Sequence, residues 1–311
     1  MCRLSCLLLV VVGCYDPHPV AGAPCSNGRP CPDTQVCMAD DRCWPVGLPV
    51  PDARVDPLDA PIDGPVGVGP WSARPVLGEV NTGSDEDDPS CTLDRKTIVF
   101  ARKTTVYELF IGTRPTPSDR FTVTALAVLN GISSGDKASP EISMDGTTIY
   151  FTADAGDGNN DVYVSKKTGN GWSTPALVKD LSDPDPVVDD TDVAISPDGL
   201  TAMVARDGKM YIATRGTTDA KFTSSGPVAI TVEGSNTVAA PSIANHADVV
   251  YLHAGNAERK LYYTRREAGS YTKPELIMEL DTQVRNSAPF VLPDEHYMLF
   301  SRGLDIYEAT R

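Results

Sequence analysis

From residue 86 to the end of the chain, one pattern of apolar and polar positions recurs five times, about every 50 residues. Its clearest part is a run of three consecutive apolar side chains. The runs are Ile98-Val99-Phe100, Ile149-Tyr150-Phe151, Ala202-Met203-Val204, Val250-Tyr251-Leu252 and Met298-Leu299-Phe300. A run apolar on both faces predicts a strand covered on both sides. A phrase precedes each run: Asp88 to Asp94, Ser139 to Asp145, Asp192 to Asp198, Ala240 to His246 and Ala288 to Asp294. It predicts an inner strand that ends in a turn. Asp145-Gly146 and Asp198-Gly199 mark that turn, because glycine accepts the positive φ of a tight hairpin.

A third strand is centred on Phe110, Tyr163, Tyr211, Tyr262 and Tyr307. It ends in a basic column of Arg114, Lys167, Arg215, Arg266 and Arg311. A fourth begins with an aromatic: Phe121, Trp172, Phe222 and Tyr271. Each repeat is therefore a four-stranded antiparallel sheet that cannot bury both faces alone, so the repeats must stack. The fifth repeat stops at Arg311, after its third strand. Its missing fourth strand recurs at the start, where Trp71-Ser-Ala-Arg-Pro-Val-Leu77 matches Trp172-Ser-Thr-Pro-Ala-Leu-Val178. The pattern predicts an all-β, five-bladed β-propeller over residues 71–311, closed by its own N-terminal strand.

These phrases resemble the WD40-like Pro-Asp repeats (PD40) of the TolB-type propeller family. The marks are Ser196-Pro197-Asp198-Gly199, Ser143-Met144-Asp145-Gly146, Asp161-Val162-Tyr163 and Asp305-Ile306-Tyr307. The resemblance implies a propeller and leaves function open, since one fold hosts many activities. The chain departs from TolB itself in having five expected blades rather than six and no α/β domain ahead of them.

The residues before the repeats predict an address. Met1-Cys2-Arg3 is a short basic start, and Leu7 to Val12 is an apolar run too short to span a bilayer. The run ends Val11-Val12-Gly13-Cys14, which resembles a bacterial lipobox. The expectation is a signal peptide over 1–13, lipidation of Cys14, and a tether over 14–24. Cys25, Cys31, Cys37 and Cys43 have five residues between each pair. In an exported chain they predict a disulfide-rich knob over 25–44, with three connectivities open and Cys25–Cys37 with Cys31–Cys43 favoured. Zinc competes poorly, because structural zinc sites space their cysteine pairs two to four residues apart. Residues 45–70, rich in Pro, Asp and Gly, read as a semi-extended linker. Cys91 aligns with Ile142, Ile195, Ile243 and Val291 and reads as a buried small hydrophobe.

The net charge of −15 argues against nucleic acid and anionic membrane surfaces as partners. Its acids gather in the segments that lead into the inner strands: Asp85, Glu86, Asp87, Asp88, Asp136, Asp183, Asp185, Asp189, Asp190 and Asp192. Three readings compete: a solvated rim, a surface for a basic protein or a sugar, and a calcium site. The calcium reading is weak. Asp154 and Asp157 lie in a Gly-rich hairpin that lacks the terminal Glu of the twelve-residue calcium loop. No cofactor is expected. His18, His246, His253 and His296 show no metal spacing, and no Gly-x-Ser-x-Gly elbow occurs.

The chain is thus expected to be a monomeric, lipid-anchored protein of a bacterial cell envelope, in the periplasm or at the surface. Its propeller is expected to act as a non-enzymatic platform for protein or glycan. The alternative is a carbohydrate-active hydrolase using channel carboxylates, for which Asp88 and Asp192 are the candidates.

Overall fold

The computed structural model describes residues 70–311 apart from 157 and 186, together with two short strands near the N-terminus. Those strands, β1 (Gln35–Cys37) and β2 (Cys43–Pro45), pair antiparallel, with the Cys37 backbone directly opposite that of Cys43. The expected signal peptide, Cys14, Cys25, Cys31 and the linker lie outside the described residues. Cys91 is a free thiol, and the side chains of Cys37 and Cys43 also lie outside what is described.

Strand β3 (Ser72–Pro75) opens the second unit. Blade one follows as β4 (Glu86–Cys91), β5 (Thr97–Lys103), β6 (Tyr107–Thr113) and β7 (Thr122–Ala125). A single helical turn, α1 (Ala127–Asn130), leads to blade two. That blade has β8 (Lys137–Ile142), β9 (Thr148–Ala153) and β10 (Asp161–Thr168), with an outer edge split into β11 (Gly171–Trp172) and β12 (Ala176–Leu177). Blade three is β13 (Asp190–Ile195), β14 (Thr201–Arg206), β15 (Lys209–Thr214) and β16 (Thr223–Val228). Blade four is β17 (Val238–Ala244), β18 (Val249–Ala254) and β19 (Lys260–Glu267), again with a split edge, β20 (Ser270–Tyr271) and β21 (Glu275–Leu276). Blade five is β22 (Asn286–Val291), β23 (Tyr297–Arg302) and β24 (Asp305–Thr310), completed by β3. The five-bladed ring expected from the repeats is the ring observed.

The alternation of the apolar runs follows from this arrangement. Ile98 and Phe100 pack with Phe290 and Leu299 of blade five, whereas Val99 packs with Ile142 and Phe151 of blade two. Tyr150 likewise meets Val193 and Val204, Met203 meets Ile243 and Leu252, and Tyr251 meets Val291 and Phe300. Every pair of neighbouring blades therefore has its own apolar core. A fully buried side chain such as Phe100 contributes about 1.5–3 kcal/mol.

The basic and aromatic columns form a clasp. The guanidinium of Arg114 stacks 4.2 Å from the centre of Phe121, that of Arg215 4.2 Å from Phe222, and that of Arg311 4.4 Å from Trp71. Trp71 thus takes the place of Phe121 and Phe222, as expected. It does not match Trp172 and Tyr271, which lie directly across tight hairpins from Lys167 and Arg266 and are only half-buried. Those two blades join their outer strands through two residues, too few to swing the ring back over the basic side chain.

Strand β3 pairs antiparallel with β24, with Ser72 opposite Thr310 and Pro75 opposite Tyr307. Gly78 then runs beside Phe121, at φ 114°, where a Cβ would strike the Phe121 backbone. The antiparallel order puts the connectors between blades and the second-to-third-strand hairpins on one face of the ring. Backbone bonds from Lys103 to Asp85, Asp190 to Asn160 and Asn286 to Arg259 join these loops.

Candidate functional site

The inner strands surround a central channel. At its connector-face end, Asp88, Ser139, Ala240 and Ala288 each precede a proline and adopt φ of 47–53°. The ladder with the second strand shifts register at each of them. This repeated β-bulge is costly for non-glycine residues, about 1–3 kcal/mol each. Blade three differs: Asp192 precedes Val193, and its register shift lies earlier, between Asp190 and Asp192.

The bulges are held by hydrogen bonds that pass from blade to blade. The Ser139 amide donates to Asp88 Oδ2 (2.9 Å), and the Val193 amide to Ser139 Oγ (3.2 Å). The Ala240 amide donates to the Asp192 carboxylate, and the Ala288 amide to His253 Nδ1 (3.2 Å). Asp87 Oδ1 accepts from the Asp88 amide at 3.1 Å and from Ser287 Oγ at 3.4 Å, which links blade five to blade one. A second tier lies two residues along. Ser90 Oγ accepts from the Ile142 amide, Glu141 from the Ile195 amide, and Ser242 Oγ from the Val291 amide. Asp88, Asp192 and Glu141 are thus ties between blades.

Burial raises the Asp88 carboxyl well above the usual carboxylate range, and the charges of Asp87 and Asp192 push the same way. Asp192 and Glu141 are raised as well, again by burial first. Burial, reinforced by Arg259 and Arg285, brings His253 down to about 3. Its ring is therefore neutral at pH 7, and acceptance at Nδ1 assigns the proton to Nε2. The cavity bounded by Asp88, Ser139, Glu141, Ala240 and Ala288 has a volume of about 20 Å³, room for about one water.

The candidate acids divide into distinct roles. Glu86 and Asp190 do not face solvent: both are fully buried, in ion pairs with Arg102 (2.9 Å) and Arg206 (2.6 Å). These arginines also grip the incoming connector, Arg102 through the Val80 carbonyl and Arg206 through that of Leu181. Arg302 repeats the device with Asn286 and the Leu280 carbonyl. Sequence reading missed this clasp, although Glu86/Arg102, Asp190/Arg206 and Asn286/Arg302 share a 16-residue spacing.

Asp85 accepts from the Tyr107 hydroxyl at 2.6 Å, and Asp87 pairs with Arg285 at 3.2 Å. Asp136 accepts from the Tyr107 amide at 2.7 Å and from Lys103 at 3.2 Å. Burial raises its carboxyl, but these donors win and hold it below the ordinary value. Asp189 accepts from the Asn160 amide at 2.8 Å and remains exposed on the connector face, as do Asp136 and Asp185.

Asp154 accepts from the amides of Gly156 (2.7 Å) and Gly158 (3.1 Å) within its turn, and Asp157 lies outside the described residues. No group of three or more His, Cys, Asp or Glu side chains gathers as a metal site among the described residues. Cys91 is fully buried, and burial pushes its thiol far up, so it does not act as a nucleophile. Asp145 and Asp198 brace their own turns, accepting from Ser143 and Thr147 and from Ser196 and Leu200. No helix among the described residues is long and apolar enough to cross a membrane.

No family model matches the chain, and no curated protein matches it. Solved structures do. The GH43 endo-arabinanase from Bacillus licheniformis is 12% identical, with 76% of this chain covering 95% of that one at a TM-score of 0.54. The catalytic domain of the GH62 α-L-arabinofuranosidase from Coprinopsis cinerea is also 12% identical, with 78% covering 96% at 0.51. TolB from Acinetobacter baumannii is 16% identical at 0.42, and the match spans only 55% of its length. At these identities the two arabinan-related structures establish a shared fold and nothing finer.

Proposed function

We propose that the chain is a non-catalytic binding platform, a propeller that presents its connector face to a protein or glycan of a bacterial envelope. One observation carries this reading. Asp88, Asp192 and Glu141 each hold a backbone amide of the next blade, and the cavity that Asp88 and Glu141 line has room for about one water. Glycoside hydrolysis needs two carboxyl groups free to flank a sugar. The exposed acids Asp136, Asp185 and Asp189 offer an accessible surface beside the channel mouth. The lipobox-like Val11-Val12-Gly13-Cys14 supports anchoring at Cys14.

A second reading, a carbohydrate hydrolase, draws on the raised carboxyls of Asp88 and Asp192 in one channel, since an acid kept protonated is what general acid catalysis requires.

Photo-crosslinking residues placed at Asp136 and Asp189, and at Lys166 on the opposite face, test the platform inside a bacterial envelope. Adducts from the first two positions alone are expected. Adducts at equal yield from Lys166, or none from the connector face, would overturn it. Cys14→Ser is expected to abolish labelling by a lipid precursor and release the chain from membranes.

A further inference from the structure

Another cavity lies away from the channel, on the flank of blade three, where the β14–β15 hairpin meets the connector to blade four. It measures about 250 Å³. Its floor is Ile230 and Val238, both buried, and its walls are Pro227, Val228 and Ala229. The tight turn at Asp207-Gly208, with φ of 48° and 71°, brings Lys209 to its edge. Lys209 is exposed, and its side chain makes no hydrogen bond or ion pair among the described residues. Asp207, in the same turn, is exposed, and Glu233 in the connector pairs with Lys273 at 3.1 Å.

We propose that this cavity binds a small linear alkyl carboxylate, its tail against Val228, Ile230 and Val238 and its carboxylate on Lys209. Shape and charge point to the same ligand. Pro227, Val228, Ala229, Ile230 and Val238 offer a tail an apolar surface, with Thr231, Ser235 and Asn236 supplying polar groups beside it. Lys209, the one cation among the described residues that line the cavity, complements one anionic head, in a chain whose net charge is −15. The cavity is about twelve times the volume of the channel-mouth cavity that has room for about one water, enough for a chain of several carbons. The site shares no residue with the channel-mouth cavity, although the β14–β15 hairpin and the connector that form it lie on the connector face; a small-molecule titration reads it apart from the platform.

The test is a titration of the full chain with the straight-chain series from acetate to decanoate, followed by calorimetry or by NMR shifts of the blade-three amides. Affinity is expected to rise about threefold to fourfold per methylene and to level off once the tail outgrows the cavity. Lys209→Gln is expected to weaken octanoate at least fivefold and to remove its salt dependence. Ala229→Trp fills the cavity and is expected to abolish binding with the thermal midpoint unchanged; should it fail to fold, Val228→Phe serves the same purpose. The proposal is overturned by affinity that ignores chain length, by octanol binding as tightly as octanoate, or by N-acetyl-leucine binding where the linear series does not. Wild-type binding by both Lys209→Gln and the filled variant would overturn it as well.

Discussion

Truncating Trp71 to alanine isolates the bond that closes the ring. The indole is 6% exposed, stacks under Arg311 at 4.4 Å, and packs in the core shared by blades four and five. Removing so large a buried side chain costs about 3–5 kcal/mol. For a domain of this size each kcal/mol lowers the thermal midpoint by about 2–4 °C, so a fall of roughly 6–20 °C is expected in a calorimetric or circular-dichroism melt. Phe222→Ala is the internal control, because Arg215 stacks on it at 4.2 Å in a blade whose four strands are consecutive in the chain. It is expected to lower the midpoint by a comparable amount. Only Trp71→Ala should also expose the unpaired edge of β24, read as aggregation and as faster proteolysis near residues 70–76. A Trp71→Ala midpoint within 2 °C of wild type would refute the closure energetics.

Three further substitutions separate the structural roles assigned to individual residues. Gly78→Ala is expected to destabilise the ring by more than about 1 kcal/mol, since φ is 114° there and a Cβ meets the Phe121 backbone; chemical denaturation measures it. Glu86→Ala strands Arg102 beneath the connector and is expected to cost about 3–5 kcal/mol by the same assay, whereas Asp136→Ala, at the exposed rim, should cost under about 1 kcal/mol. Asp88 has its carboxyl raised by burial, so its folded form favours the proton. That contribution is full below the unfolded value of about 3.9 and is lost as pH rises through the folded value. Asp88→Asn keeps an acceptor for the Ser139 amide without the charge. It is therefore expected to raise stability at pH 7 and to bring no gain below about pH 4; a loss at pH 7 would contradict this account.

The ring itself was legible because it rests on periodic burial. Each apolar triplet, such as Ile149-Tyr150-Phe151, must feed two inter-blade cores, and the Trp71 phrase had only one vacant edge to fill. The site was less legible because its parts depend on which atoms meet across blades. Glu86 and Asp136 are both connector acids in the sequence, yet one is buried on an arginine and the other lies at the rim. The left-handed bulge at Ala240 and Ala288 leaves no compositional mark beyond the following proline. His253 looked like an isolated histidine; only the fold turns its Nδ1 toward the Ala288 amide. The flank cavity beside Lys209 likewise joins a hairpin to a connector about 20 residues further on.

The central functional claim is that the channel carboxylates hold blades together and do not cleave glycosidic bonds. The most direct measurement is turnover of linear arabinan and of aryl α-L-arabinofuranosides by the purified chain, beside Asp88→Asn and Asp192→Asn proteins shown to be folded. The account predicts that all three proteins release sugar at the rate of a buffer blank, from pH 4 to 8. Wild-type turnover above the blank that disappears in either variant would contradict it.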